Sequence, residues 1–253
     1  MTSSWINLIS VSLLLVVLVS VLWASFRLGR GAAPSVAALL VCPAVYFLWY
    51  WLKTIVVWDG LMAVMSKVHS LALMLCFLAA LEALSKFIVF KWCQERYSID
   101  PIWVLSFSIT AAVVEVVLVY VYGFVLLVAF SLDSNFAQMA LAEMHEQRAA
   151  FLFNQLNSLV SSSALGLWML VFVLVMVKVF STLFIYRATA ERFYLWLPLS
   201  FVAGLIALLP YFAFDMGFAS YSETSWVLEA AAGGFLIFLW WVLYIDKDVA
   251  VKG

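Results

Sequence analysis

Charge is the scarcest property of this sequence. Charged residues make up 11% of its 253 positions, whereas soluble domains carry about 25%. Apolar residues make up 68%, and the mean hydropathy is +1.14. A soluble globule of this size has no interior large enough to hide so much apolar surface, which excludes a soluble enzyme. There is no basic excess either: 13 Lys and Arg face 14 Asp and Glu. That excludes a nucleic-acid binder. The composition is the opposite of a disordered chain. Histidine is nearly absent, with only His69 and His145. They lie on different segments without Cys/His ligand spacing, so neither a metal site nor a haem is expected, nor any other cofactor. No Ser/His/Asp set can be assembled. Cys42 and Cys76 lie within apolar runs and Cys93 at the edge of one. No disulfide framework follows from them.

What the chain does have is long apolar runs. A helix crossing a bilayer needs about 20 mostly apolar residues. Seven runs meet that standard: 5–26, 32–52, 61–90, 101–132, 158–186, 193–214 and 224–245. They are continuous rather than alternating, which argues against a transmembrane β-barrel. The first run is too long for the apolar part of a cleavable signal and lacks a basic flank before it. The expected fold is therefore all-α: one polytopic bundle of about seven spans covering 1–253, with no soluble domain.

The basic residues give the orientation. Arg27, Arg30, Lys91, Arg96, Arg187, Arg192, Lys247 and Lys252 fall after the odd-numbered runs, while only Lys53 and Arg148 fall on the opposite side. By the positive-inside rule the N-terminus is outside and the C-terminus cytoplasmic. A plasma membrane, of the bacterial inner-membrane kind, is assumed. The longest connection, 133–157, spaces Phe136, Met139, Ala140 and Met144 helically. It predicts a short interfacial helix at about 136–153, with a lid as the alternative. Aromatic clusters such as Trp49, Tyr50 and Trp51 read as interfacial anchors. Ser161–Ser163, Gly166, Gly204 and 230–234 offer small-residue surfaces for close helix approach. Ser106, Ser108 and Thr110 are expected to bond to their own helix.

Ionisable side chains inside a membrane are costly and tend to face the bundle interior. Glu82 lies nine residues before Lys91, roughly 13 Å from the cytoplasmic edge; Lys178 lies equally far before Arg187. Glu115 lies 14 residues after Pro101, roughly 20 Å in. Neighbouring depths predict one polar cluster of Glu82, Lys86, Glu115 and Lys178. Lys86 follows Glu82 at i+4, the favourable order for a pair on one helix. The cluster reads either as a helix-locking contact or as a site for catalysis or ion conduction, with Glu82 and Glu115 the candidate catalytic groups. Lys67 and His69 are expected to meet Glu229 in a second, outer cluster.

The stretch Leu81-Glu82-Ala83-Leu84-Ser85-Lys86-Phe87, then Lys91, a turn, and a span carrying Phe107 and Glu115 resembles a known membrane core. It is similar to the PrsW/YhfC-type and CAAX-type glutamic intramembrane proteases, a superfamily that includes the scaffold subunit of gamma-secretase. In that resemblance Glu82 matches the second acidic position and Lys86 the basic one. The departures are clear. Leu81 replaces the first glutamate, Thr110 and Ala111 stand where a histidine is expected, and the fifth and sixth runs contain no histidine. A protease of this kind needs a base for water and groups that stabilise the oxyanion. The resemblance therefore implies a relative that kept the fold and lost the chemistry.

The function expected is a non-catalytic membrane scaffold or accessory subunit, in contact with the lipid bilayer and with a membrane-protein partner or further copies of itself. A small transporter or channel subunit and an intramembrane protease are the alternatives.

Overall fold

A computed structural model describes residues 2–28, 33–51, 67–96, 99–118, 164–190, 194, 196–215 and 231–235. The described residues are all helical apart from short connections, with no strand among them. In chain order the helices are α1 (Thr2–Leu28), α2 (Ala33–Trp51), α3 (Lys67–Arg96), α4 (Pro101–Val116), α5 (Ala164–Ala190) and α6 (Trp196–Asp215). A further helical turn covers 231–235. The expected interfacial helix at 136–153, and Glu229 on the last run, lie outside the described residues.

Three helices have both the length and the apolar composition to cross a membrane: Ala33–Trp51, His69–Arg96 and Leu170–Ala190. Ser12–Arg27, Pro101–Val116 and Trp196–Pro210 are shorter apolar stretches. The distribution of polarity is the reverse of a soluble protein. Leu40, Phe47, Val16, Trp23, Phe172 and Ile88 are exposed. Glu82, Lys86, Glu115 and Lys178 are at most 4% exposed. Apolar side chains outside and ions inside suit contact with lipid, which does not penalise the former and cannot solvate the latter.

Local rules place the helix ends. Asp100 caps α4: its side chain accepts from the Trp103 N–H at 2.6 Å, and Pro101 occupies the first turn. There its missing N–H costs nothing. Pro43 lies inside α2 and Pro210 inside α6, where lipid-embedded helices tolerate it better than aqueous ones do. Hydroxyls on the helices bond back one turn, as Ser20 does to the Val16 carbonyl at 2.7 Å and Thr182 to the Lys178 carbonyl at 2.9 Å.

α4 packs against α1, α2 and α5, while α3 packs against α2, α5 and α6. Three apolar clusters fill these contacts. One joins Leu14 and Leu18 to Val113, Val116, Leu174 and Val177. A second joins Ala38 and Cys42 to Phe90, Phe107 and Ala111. A third joins Tyr46 and Trp49 to Leu75, Leu78, Ala79 and Leu208. In the second, Phe90 meets Phe107 edge-on with centroids 5.0 Å apart, and Trp103 stacks on Phe107 at 5.6 Å. Gly204 faces α3, where a methyl group added to it would sit 3.5 Å from the Ala79 Cβ. That is ordinary contact, so the approach of α6 to α3 is close without demanding glycine.

One expectation about side-chain direction needs correction. Trp49 is not an interfacial anchor: it is buried and donates its indole N–H to the Met74 carbonyl at 3.1 Å. Its neighbours Tyr50 and Trp51 are exposed. The odd member of the trio turns inward because it can satisfy its polar atom on α3.

Candidate functional site

The three apolar clusters surround a polar centre. α2 contributes Cys42 and Tyr46, four residues and so about one turn apart on one face. α3 contributes Glu82 and Lys86 at the same spacing. α4 contributes Glu115 and α5 contributes Lys178. Counted from the helix ends nearest Arg96, Pro101 and Ala190, Glu82, Glu115 and Lys178 lie about 18–21 Å along their axes. A common level is what lets side chains from separate helices meet.

The contacts form a chain. Lys86 Nζ lies 2.5 Å from Glu115 Oε1. Glu115 Oε2 lies 3.4 Å from Lys178 Nζ. Lys178 pairs with Glu82 Oε2, and Tyr46 donates its hydroxyl to Glu82 Oε1. The Cys42 thiol points at Glu115 Oε1 at 3.5 Å. Two carboxylates and two ammonium groups thus alternate, and their formal charges cancel. Cancellation matters here because a lone buried ion in a low-dielectric interior is costly by several kcal/mol. Glu115 Oε2 accepts no hydrogen bond; the nearby Lys178 supplies charge but not a bond.

The four residues Glu82, Lys86, Glu115 and Lys178 are therefore brought together. Their pairing differs from the i+4 expectation. Lys86 turns to Glu115 on α4, and Glu82 to Lys178 on α5. The cross-helix pairs give each carboxylate an ammonium partner and at the same time join α3 to α4 and to α5. Of the expected outer cluster, His69 is exposed at the start of α3, and Glu229 is outside the described residues.

Tyr46 and Cys42 were missed in the sequence. The signal available was their i,i+4 spacing on an otherwise apolar helix, which reads equally well as packing. A second polar group also escaped. Ser25 on α1, Ser35 on α2, and Ser106 and Thr110 on α4 are all buried and form a hydroxyl network. Thr110 lies 2.8 Å from the Ser25 hydroxyl and donates to Ser35 at 3.0 Å. Ser106 donates to the Ser25 carbonyl at 2.6 Å and approaches Ser35 at 3.2 Å. Of the three α4 hydroxyls, Ser108 alone bonds to its own helix, at the Val104 carbonyl. Ser106 and Thr110 instead tie α4 to α1 and α2, because α1 and α2 place hydroxyls opposite them.

No group of three or more His, Cys, Asp or Glu suited to a metal occurs among the described residues. Lysine ammonium groups occupy the positions beside the two carboxylates. Comparison with family models, curated proteins and solved structures finds no match to the chain.

Proposed function

We propose that this chain is a non-catalytic integral membrane subunit that holds other membrane proteins, with the polar centre as a lock between its helices. In this reading it has about seven spans, an outer N-terminus and a cytoplasmic C-terminus, in a plasma membrane. It is a degenerate relative of the glutamic intramembrane proteases, with lysines set against the carboxylates that the active members use for chemistry.

One observation carries the proposal. Glu82 and Glu115 each face an ammonium group, in a charge-balanced chain from three helices closed by Tyr46 on a fourth. A general base needs a carboxylate within reach of a water and a substrate. A carboxylate committed to a buried lysine is better suited to joining helices. Ion pairs that bridge three helices, with a hydrogen bond to a fourth, also fix one arrangement of the bundle, and a subunit that presents surfaces to partners needs that.

The test is purification of the tagged chain in mild detergent, with mass spectrometry of what accompanies it. A stoichiometric membrane protein is expected. Glu115→Gln should reduce the yield of that complex by destabilising the bundle, with no accumulation of an uncleaved substrate. Normal assembly together with lost proteolysis would defeat the proposal.

One observation favours a second reading, a transporter or channel subunit. Glu115 Oε2 is buried without a hydrogen bond, 3.4 Å from a lysine that pairs with Glu82. Lys178 could pass between the two carboxylates as an ion or proton moves. Proteoliposomes holding the purified chain discriminate: proton or cation flux abolished by Lys178→Met would favour transport, and flux equal to that of empty vesicles would remove it.

A further inference from the structure

A separate site lies at the basic end of the bundle. The last turns of α3, the end of α5 and Tyr194 before α6 enclose a half-open cleft of about 230 Å3. Its lining is Phe87, Lys91, Gln94, Glu95, Thr189 and Tyr194. The four α3 residues recur at i, i+4, i+7 and i+8, so they share one helix face. We propose that this cleft binds the headgroup of a zwitterionic phospholipid: a phosphodiester together with a primary ammonium group.

Three features point to that chemistry. The first is a matched pair of opposite charges. Lys91 and Glu95 are both exposed one turn apart, and among the described residues neither enters an ion pair with the other or with a third group. One cation and one anion on a single rim suit a ligand carrying both signs, Lys91 toward phosphate and Glu95 toward ammonium. The second is an aromatic wall. Phe87 meets the exposed Tyr194 ring edge-on at 6.2 Å beside the charged pair. Gln94 donates to Thr189 at 3.1 Å and so holds α3 to α5 across the cleft. The third is the route for acyl chains. Leu73, Phe77, Leu84 and Ile88 are exposed along α3, and this apolar ridge ends beside Lys91. Tails laid on the ridge bring a headgroup to the cleft. The volume is below the usual range for a whole ligand pocket, about 300–1,000 Å3, which fits a headgroup whose tails lie outside. Arg96 over the exposed Trp92 marks the same level with interfacial side chains.

This inference rests on α3 spanning a bilayer and is independent of the scaffold role. The experiment is native mass spectrometry of the detergent-purified chain. The probes are phosphatidylethanolamine, phosphatidylglycerol and free O-phosphoethanolamine, added separately. One retained phosphatidylethanolamine per chain is expected, at about tenfold lower concentration than phosphatidylglycerol requires. Lys91→Ala should cut retention at least tenfold, and Glu95→Gln should remove the preference between the two lipids. Both residues are exposed, and unchanged helical circular dichroism would show that the variants fold. Equal retention of the two lipids by the native chain, or variants that retain phosphatidylethanolamine as the native chain does, would overturn the proposal. Free O-phosphoethanolamine bound as tightly as the lipid would also overturn it, in favour of a soluble ligand. Release of the chain from membranes by alkaline carbonate would instead show that the membrane placement itself is wrong.

Discussion

At the residue scale, the behaviour of Lys178 follows from what surrounds it. It faces both carboxylates: it pairs with Glu82 and lies 3.4 Å from Glu115. Removing it leaves Glu82 with Tyr46 alone. Lys178→Met is therefore expected to destabilise the bundle by about 3–5 kcal/mol, the range for breaking a buried pair. Glu82→Gln added to it should recover most of that loss, because an amide at position 82 needs no counterion and Gln still accepts from Tyr46. Unfolding in detergent measures both. The deficit of the single variant should shrink as pH falls, since the orphaned carboxyl can neutralise itself by taking up a proton. A deficit that grows toward acid pH would contradict this account. Tyr46→Phe is a milder case, with an expected loss of about 1 kcal/mol.

At the element scale, hydroxyls join α4 to α1 and α2, and small side chains let α6 approach α3. Hydrogen bonds between helices in a membrane average about 0.6 kcal/mol each. Thr110→Val removes two contacts at once, so a loss of about 1 kcal/mol is expected, while Ser108→Ala should be near neutral. Gly204→Ala should be tolerated, because the added carbon lies at ordinary distance from Ala79. Gly204→Leu has no such room and should separate α6 from α3. Thermal denaturation of the detergent-solubilised variants ranks these four. The helices themselves were legible in the sequence, since a run of apolar residues can satisfy its backbone in lipid only as a helix. Depth was legible in part: counting residues from Lys91, Pro101 and Arg187 brought Glu82, Glu115 and Lys178 to neighbouring depths. Rotation was not. A helix apolar on every side carries no periodic signal for which face is buried. That is why Tyr46, Trp49 and the Ser25–Thr110 network went unseen, and why Lys86 was assigned to the wrong glutamate.

At the scale of the whole molecule, the described helices form a body with apolar residues outward and ions inward. The basic end carries Arg27, Lys91, Arg96 and Arg187, two of its arginines lying over the rings of Trp23 and Trp92. The proposed orientation sets this end at the cytoplasmic face. Single cysteines placed at Arg27 and Arg187 in a Cys-free background should resist a membrane-impermeant maleimide in intact cells and react after permeabilisation. Labelling in intact cells would reverse the orientation.

The central claim is that the polar centre joins helices and does no chemistry. The Glu82→Gln/Lys178→Met double variant tests it most directly. It removes one ion pair and leaves the Lys86–Glu115 pair in place. Purified in mild detergent beside the native chain, it is expected to retain the same membrane partner in the same proportion. A folded double variant that keeps its partner but abolishes a proteolytic or transport activity shown by the native chain would contradict the claim.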